Sequence, residues 1–258
     1  MATEKELLAA RIFFRAVFPV IKVLFEDDPK TKQRFEGVTG IVQFRAKDAA
    51  GDIGAHFKFT DGAFEVVPEI APNPDITFGF SSVAKMNAMF AGNPVLPSIK
   101  GLRHLGLLVK VLTLLLALKL LMPDKKPKTP EQARLKVKMT IYMVSTALSQ
   151  LNKAGDPDMV KWTSKQPERI YQWSCEPEGI AAYLKVKAGK TKAGRGYYTR
   201  RKPFVHMRLN GIEGALPVLA TQVDTVQAIA QGLLTIDGSP EYGANLGDFM
   251  IRVASLVT

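Results

Sequence analysis

The chain has 258 residues, with 35 Lys and Arg against 24 Asp and Glu, giving a formal net charge of +11 at pH 7. Hydrophobic residues make up 47%, which excludes a disordered chain, and the length suits one large domain or two of roughly 100–150 residues. A single cysteine, Cys175, excludes an internal disulfide and a multi-thiolate metal site. His56, His104 and His206 lack chelating spacing, so no metal and no cofactor is expected.

The N-terminus carries Glu4 and Glu6 and has no clean apolar stretch with a cleavage site, so it does not read as a secretory signal. With one cysteine, a reducing cytoplasm is the expected compartment. Thr3 followed by Glu6 fits a capping box and predicts a helix to about Phe25, with Pro19 as a kink. Residues 40–47, 53–60, 64–68 and 75–80 read as strands, with Asp61-Gly62 as a tight turn. Short turns between neighbours predict an antiparallel meander. Ser81 or Ser82 caps a helix through Phe90.

Residues 102–122, LRHLGLLVKVLTLLLALKLLM, have nearly the length of a membrane span, about 20 residues. Arg103, His104, Lys110 and Lys119 lie within it, and charges at mid-membrane are costly, so a helix over a core or cavity is expected instead. Leu107, Val111, Leu114, Leu115 and Leu118 fall at helical spacing, with Leu108, Leu112, Leu116, Leu120 and Leu121 between them. A surface helix needs one apolar stripe, and this one is apolar around most of its circumference. The extra faces need a tunnel, a partner domain or a membrane surface.

The stretch between Met122 and Glu131 holds three prolines and three lysines and reads as a linker. Thr129, Pro130 and Gln132 then open a helix to about Asn152. Residues 169–175, 180–187, 195–200 and 204–209 read as strands, Asn210 as a cap for a helix to Ala220, and a short strand and a last helix follow. Lys185, Lys187, Lys190, Lys192, Arg195, Arg200, Arg201 and Lys202 crowd one short region, with Tyr197 and Tyr198 among them. Such a surface suits anionic lipid headgroups, at about 1 kcal/mol per basic residue near the membrane. A solvated, lysine-protected strand edge and contact with nucleic-acid phosphates are the alternatives, nucleic acid being the weaker.

Catalytic motifs are not found: there is no G-x-S-x-G, P-loop, G-x-G-x-x-G or H-E-x-x-H. Cys175 reads as a small core residue, and nothing assigns His206 as a base. Asp27, Asp28, Asp156 and Asp158 sit beside prolines, where turns explain them.

The two halves can be laid over one another. Ile53 matches Ile180; Ile76, Phe78, Phe80 and Val83 match Val205, Met207, Leu209 and Ile212; Ile99, Gly101 and Gly106 match Ile236, Gly238 and Gly243. The second half, through PFVHMRLNGIEGALPVLATQVDTVQAIAQGLLTIDGSPEYGANLGDFMIRVASL, resembles the sterol carrier protein type two domain. The first half is similar through PDITFGFSSVAKMNAMFAG and IKG, but lacks the second short helix. The resemblance implies an α+β chain of two repeated domains, residues 1–122 and 131–258 joined by 123–130. Each would be a mainly antiparallel five-stranded sheet covered by helices, with an apolar tunnel between the layers.

It further implies noncovalent binding and transfer or presentation of a fatty acyl, sterol or isoprenoid lipid, without catalysis. Ligand contacts are then expected from Phe57, Phe59, Phe78, Met86, Met89 and Phe90. Leu107, Val111, Leu114, Leu115 and Leu118 would join them from the leucine-rich helix. In the second half Met207, Leu216, Leu219 and Phe249 are expected. Lys185, Lys187, Lys190, Lys192, Arg195, Arg200 and Arg201 would contact a headgroup or an anionic membrane. The expected location is cytoplasmic, peripheral to the inner face of a membrane. The alternative function is a scaffold that recruits a lipid- or quinone-modifying enzyme, with its cavities filled by side chains.

Overall fold

The structure is a computed structural model and describes residues 1–257. The Thr3 hydroxyl accepts from the Glu6 amide at 3.2 Å while the Glu6 carboxylate accepts from the Thr3 amide at 2.7 Å, starting α1 (Glu4–Ile12). The path continues as a π turn (Phe13–Val17), a 3-10 turn (Phe18–Ile21) and α2 (Lys22–Asp27). Pro19 offers no N–H and its ring crowds the carbonyl one turn back, so the helix widens and then tightens there rather than ending. Asp28 is a cap and not a turn residue: its carboxylate accepts from the Lys30 and Thr31 amides and opens α3 (Pro29–Phe35).

β1 (Gly40–Ala46), β2 (Ile53–Thr60) and β3 (Ala63–Val67) form an antiparallel meander. β4 (Ile76–Phe80) and β5 (Ser98–Lys100) complete a sheet of order β3-β2-β1-β4-β5. The expected simple meander is corrected here, because β4 runs parallel to β1, with Val42 opposite Ile76. The reason lies in Gln43, buried on the side of β1 opposite Phe44. Its side-chain oxygen accepts from the Ala71 amide at 2.7 Å and holds the returning loop across the sheet. Alternation along the strands puts Val42, Phe44, Ala55, Phe57, Phe59, Ile76, Phe78 and Phe80 in the core, beneath the helices. Among these helices, α4 (Val83–Phe90) is capped by Ser82, and α5 spans Leu105–Leu118.

The chain divides into two compact units, Met1–Lys119 with the residues from Leu256, and Leu120–Ser255. The second opens with α6 (Pro130–Lys153), followed by α7 (Pro157–Ser164), which the sequence reading missed. Asp156 caps α7 by accepting from the Met159 amide at 3.0 Å, and its carboxylate pairs with Arg252 at 2.7 Å. Lys136 is buried and donates to the carbonyls of Met122 and Lys125 at 2.8 and 2.6 Å, tying down the proline-rich stretch.

β6 (Arg169–Glu176), β7 (Ile180–Lys187), β8 (Lys190–Arg195), β9 (Val205–Asn210) and β10 (Leu234–Gly238) form the order β10-β9-β6-β7-β8. β8 lies earlier than the strand expected at 195–200, because Ala188 and Gly189, both at positive φ, close the hairpin at once. Its Lys/Thr/Gly composition hides an edge strand from a β-propensity reading. α8 (Gly211–Leu219), α9 (Thr225–Ala230) and α10 (Pro240–Val257) complete the unit. Asn210 does not cap α8 as expected; its amide donates to Gly232, and the Glu178 carboxylate receives the Ile212 amide instead.

Both sheets are mixed, and both share one register. Val42 faces Ile76 as Tyr171 faces Val205, and Phe78 faces Ile99 as Met207 faces Ile236. Ala46 faces Ile53 as Cys175 faces Ile180. The register therefore places Gly40 where the second unit has Arg169, Phe44 where it has Trp173, and Asp75 where it has Phe204.

Candidate functional site

In the first unit, the helix-facing side of the sheet is filled by phenylalanine. Phe18 arrives from the 3-10 turn and lies 5.4 Å from Phe44, 5.0 Å from Phe57 and 4.8 Å from Phe90, centroid to centroid. Phe44 stacks on Phe78 at 5.1 Å, while Phe59 stacks on Phe35 at 5.1 Å. These separations are van der Waals contact, so the space an acyl chain needs is occupied by the protein's own rings. Of the residues expected to line a ligand here, Phe57, Phe59, Phe78 and Met86 are buried, and Met89 and Phe90 are half-buried.

α5 turns one face inward and one outward. Val111 and Leu114 are buried; Leu107, Leu115 and Leu118 are half-buried. Leu102, Leu105, Val109, Leu112 and Leu116 are 40–60% exposed and recur every three or four residues, as one continuous apolar stripe. Residues Leu102–Leu121 are long and apolar enough to cross a membrane by length and composition alone. Arg103 and Lys119 are exposed at the two ends of this segment.

The second unit has a different layer. Trp162 of α7 lies 5.2 Å from Tyr171, 5.5 Å from Phe249 and 6.1 Å from Tyr242. Arg169 follows the same face of β6 as Tyr171 and Trp173, and its guanidinium sits 4.0 Å from the Phe204 ring and 4.4 Å from the Tyr242 ring. Three buried N–H groups on this side have no acceptor: Trp162 Nε1, Trp173 Nε1 and Arg169 Nη1. Each such group costs about 1–3 kcal/mol when nothing replaces its water. Met207 and Phe249 are buried and Leu216 and Leu219 half-buried in this unit. Sequence reasoning missed Arg169, Trp162 and Trp173; one signal was available, since these are the only two tryptophans in the chain.

The basic residues separate into two groups. Glu168 draws Lys185 to 3.0 Å, Lys187 to 3.6 Å and Arg201 to 2.8 Å. The Lys185 hydrogen bond, and then the neighbouring cations, hold the Glu168 carboxyl below its ordinary range. Beside this cluster an open groove of about 750 Å³ is lined by Arg169, Arg201, Lys202, Phe204, Gly238 and Ser239, among others. Lys190, Lys192 and Arg195 lie along the β8 edge, and Arg200 is exposed in the following loop.

The opposite face of the second sheet carries a polar network. Ser174 Oγ lies 2.8 Å from His206 Nε2 and donates to Glu176 at 2.9 Å; Gln172 Nε2 lies 3.2 Å from the same His206 nitrogen. The other ring nitrogen faces Arg208 at 3.4 Å, and Arg208 pairs with Asp237. The Ser174 hydroxyl is fully buried, and an arginine stands where a catalytic dyad needs a carboxylate to stabilise the imidazolium. This network holds the sheet face and does not present a nucleophile. Burial, aided by Glu178, pushes the Cys175 thiol up to about 12, so it is not a reactive thiolate. Among the described residues, no three His, Cys, Asp or Glu side chains converge as a metal site requires.

No protein-family model matches the chain, and no curated protein matches it. Among solved structures, it is similar to Sterol Carrier Protein 2 Like 2 from Aedes aegypti. The identity is 18% over 43% of this chain and 97% of that one, with a TM-score of 0.30. The solution structure of the palmitated form is 17% identical, with 42% and 90% covered and a TM-score of 0.30. The sterol carrier protein domain 2 of Helicoverpa armigera is 22% identical, with 41% and 90% covered and a TM-score of 0.27. A sec-alkylsulfatase from Pseudomonas sp. is 16% identical over 57% of this chain, with a TM-score of 0.26, and the similar region is 28% of that enzyme's length.

Proposed function

We propose that the protein is a lipid-binding protein built from two sterol-carrier-like domains in tandem, and that the second domain holds the ligand. The observation that carries this reading is the layer between sheet and helices in the second unit. It is apolar and aromatic, yet it contains buried N–H donors of Arg169, Trp162 and Trp173 with no acceptor. An amphipathic ligand supplies the acceptors that these donors lack, and each of its CH2 groups buried against the aromatic layer contributes about 0.8 kcal/mol. The matching layer of the first unit is filled around Phe18 and serves as a core.

The first unit has a different part in this reading. The exposed stripe of α5, with Arg103 and Lys119 at its ends and Lys125, Lys126 and Lys128 just beyond, rests on an anionic membrane surface from which lipid is taken or to which it is given. The action is noncovalent, and the ligand is a fatty acyl or isoprenoid chain rather than a substrate undergoing reaction.

Mass spectrometry of an organic extract of the native protein tests the reading directly. A near-stoichiometric lipid is expected. Titration with a fluorescent fatty acid is the second arm, and energy transfer from the two tryptophans, both in the second unit, reads its arrival. A clean extract together with no transfer would replace the carrier reading by the scaffold reading.

A further inference from the structure

We infer that the groove at the start of β6 binds the anionic head of the ligand, a carboxylate or a phosphate monoester, through Arg169, Arg201, Lys202 and the first amides of α10. The inference rests on the lipid-binding reading and adds the chemical class of the head to it. Arg169 is the central group. Its aromatic clamp between Phe204 and Tyr242 holds the guanidinium in one place, at the rim of the helix-facing layer. One of its N–H bearing atoms, Nη1, is buried without an acceptor. Tyr242 and Tyr171 hold the rest of the side chain by hydrogen bonds, and a planar fork fixed in this way with one N–H-bearing atom left over is a donor set that a carboxylate or phosphate matches.

Two further observations converge on the groove. Arg201 and Lys202 line it, and Lys185 and Lys187 stand behind Glu168. Glu168, itself in the groove lining, pairs with Lys185, Lys187 and Arg201 at 2.8–3.6 Å, and Arg169 and Lys202 line the groove beside it, so cations outnumber the carboxylate where an anion would arrive. Gly238 and Ser239 bring the N-terminus of α10 to the same groove. Gly238 has a φ of +101°, and a Cβ there would strike the Phe204 carbonyl, so glycine is required for this close approach. Pro240 opens the 18-residue helix without an N–H and the Gly243 amide pairs with the Ser239 carbonyl at 3.1 Å, so the amides of Glu241 and Tyr242 are the two that the helix itself leaves for an anion, beside the Glu241 carboxylate.

The first unit supplies an internal control, because its equivalent groove lacks the site. Gly101, at φ +86°, stands where the second unit has Gly238, but Gly40 replaces Arg169. The space beside Gly40 is taken by Leu107, whose Cδ2 would lie 2.7 Å from an added Cβ. Asp75 replaces Phe204, and its carboxylate accepts from the Ile41 amide at 2.8 Å. Lys100 and Arg103 line the groove beside Asp75 and Gly101, but no arginine stands on β1 in the place of Arg169, and Asp75 also faces His104 at 3.6 Å. The head site centred on Arg169 therefore belongs to the second unit.

The test compares hexadecanoic acid, hexadecyl phosphate and hexadecanol on the full chain, read by tryptophan fluorescence, with inorganic phosphate titrated by calorimetry. The acid and the alkyl phosphate are expected to bind about tenfold or more tighter than the alcohol. The double variant Arg201→Ala/Lys202→Ala changes exposed side chains and should lose most of that preference while leaving alcohol binding unchanged. Arg169→Met should abolish the preference, and the surface double variant keeps the test intact should Arg169→Met fail to fold. Equal affinity for acid and alcohol in the wild type overturns the head site and leaves lipid binding standing. Equal losses for both ligands in the double variant do the same. Binding of inorganic phosphate that the double variant abolishes, with no lipid bound, retains the anion site and overturns the lipid reading. No binding of any of the four overturns both.

Discussion

Gln43 and Gln172 show how one side chain directs topology. Each is buried on the sheet face away from the helices, and each accepts a backbone amide, from Ala71 and Tyr198 respectively, at 2.7 and 2.8 Å. Each thus holds the loop that precedes the strand running parallel to its own. Asn152 has a comparable position under the β7–β8 turn, donating to the Gly189 carbonyl at 2.8 Å and accepting from Thr163 at 2.6 Å. Asn152→Ala takes the amide donor from the half-buried Gly189 carbonyl and leaves the buried Thr163 hydroxyl with only the Val160 carbonyl at 3.2 Å, and a loss of about 1–3 kcal/mol is expected in urea unfolding. A loss below the error of the titration would mean water replaces the amide there.

His206 gives a pH dependence of defined sign. Burial, and then Arg208, lower its pKa from the ordinary 6.5. The unfolded chain therefore takes up this proton first. Stability from this source is complete above 6.5 and falls as the pH drops below it toward the folded value. His206→Gln should flatten the stability curve around pH 6. Wild type and variant losing stability in parallel on acidification would remove His206 from the account.

Among the elements, the N-terminal helix does more than its amphipathic pattern indicates. The π turn followed by the 3-10 turn around Pro19 turns Phe13, Phe14 and Phe18 toward the sheet and α4, where they meet Phe90. Phe18→Ala removes the centre of this cluster and should cost about 3–5 kcal/mol. A value near 1 kcal/mol would show that the rings are looser than their spacing indicates. α5 makes the opposite prediction. Leu105→Glu/Leu112→Glu lies on the exposed stripe, so stability should change by less than about 0.5 kcal/mol per site. Sedimentation with vesicles of phosphatidylserine and phosphatidylcholine should nonetheless lose the protein. Retained sedimentation would assign membrane contact to another surface.

For the whole molecule, two units with one strand order and one register have different layers between sheet and helices. Replacing Phe44 by Trp173, Gly40 by Arg169 and Asp75 by Phe204 converts a closed phenylalanine core into an aromatic layer with donors. Native mass spectrometry of the lipid-loaded chain should therefore show one ligand per chain. Two ligands per chain would require the Phe18 cluster to open.

The sequence by itself determined the two α+β halves and the order of most of their elements, though not α3, α7 or the place of β8. It also determined which glycines and apolar residues correspond, since alternation, capping pairs and turn dipeptides are local and period-bound. Ile53 and Ile180, or Gly101 and Gly238, could be matched by eye because each is constrained by its immediate neighbours. The parallel pairing of β4 with β1 was decided by contacts across many residues, through buried Gln43, and no local pattern encodes that. The helices after Asp28 and Asp156 are short, and a cap beside a proline reads equally as a turn until the following residues are seen to be helical. The asymmetry of the candidate site also belongs to tertiary structure. A phenylalanine or a tryptophan is equally apolar in a sequence, and whether it closes a core or leaves a buried N–H without an acceptor depends on what the fold brings against it.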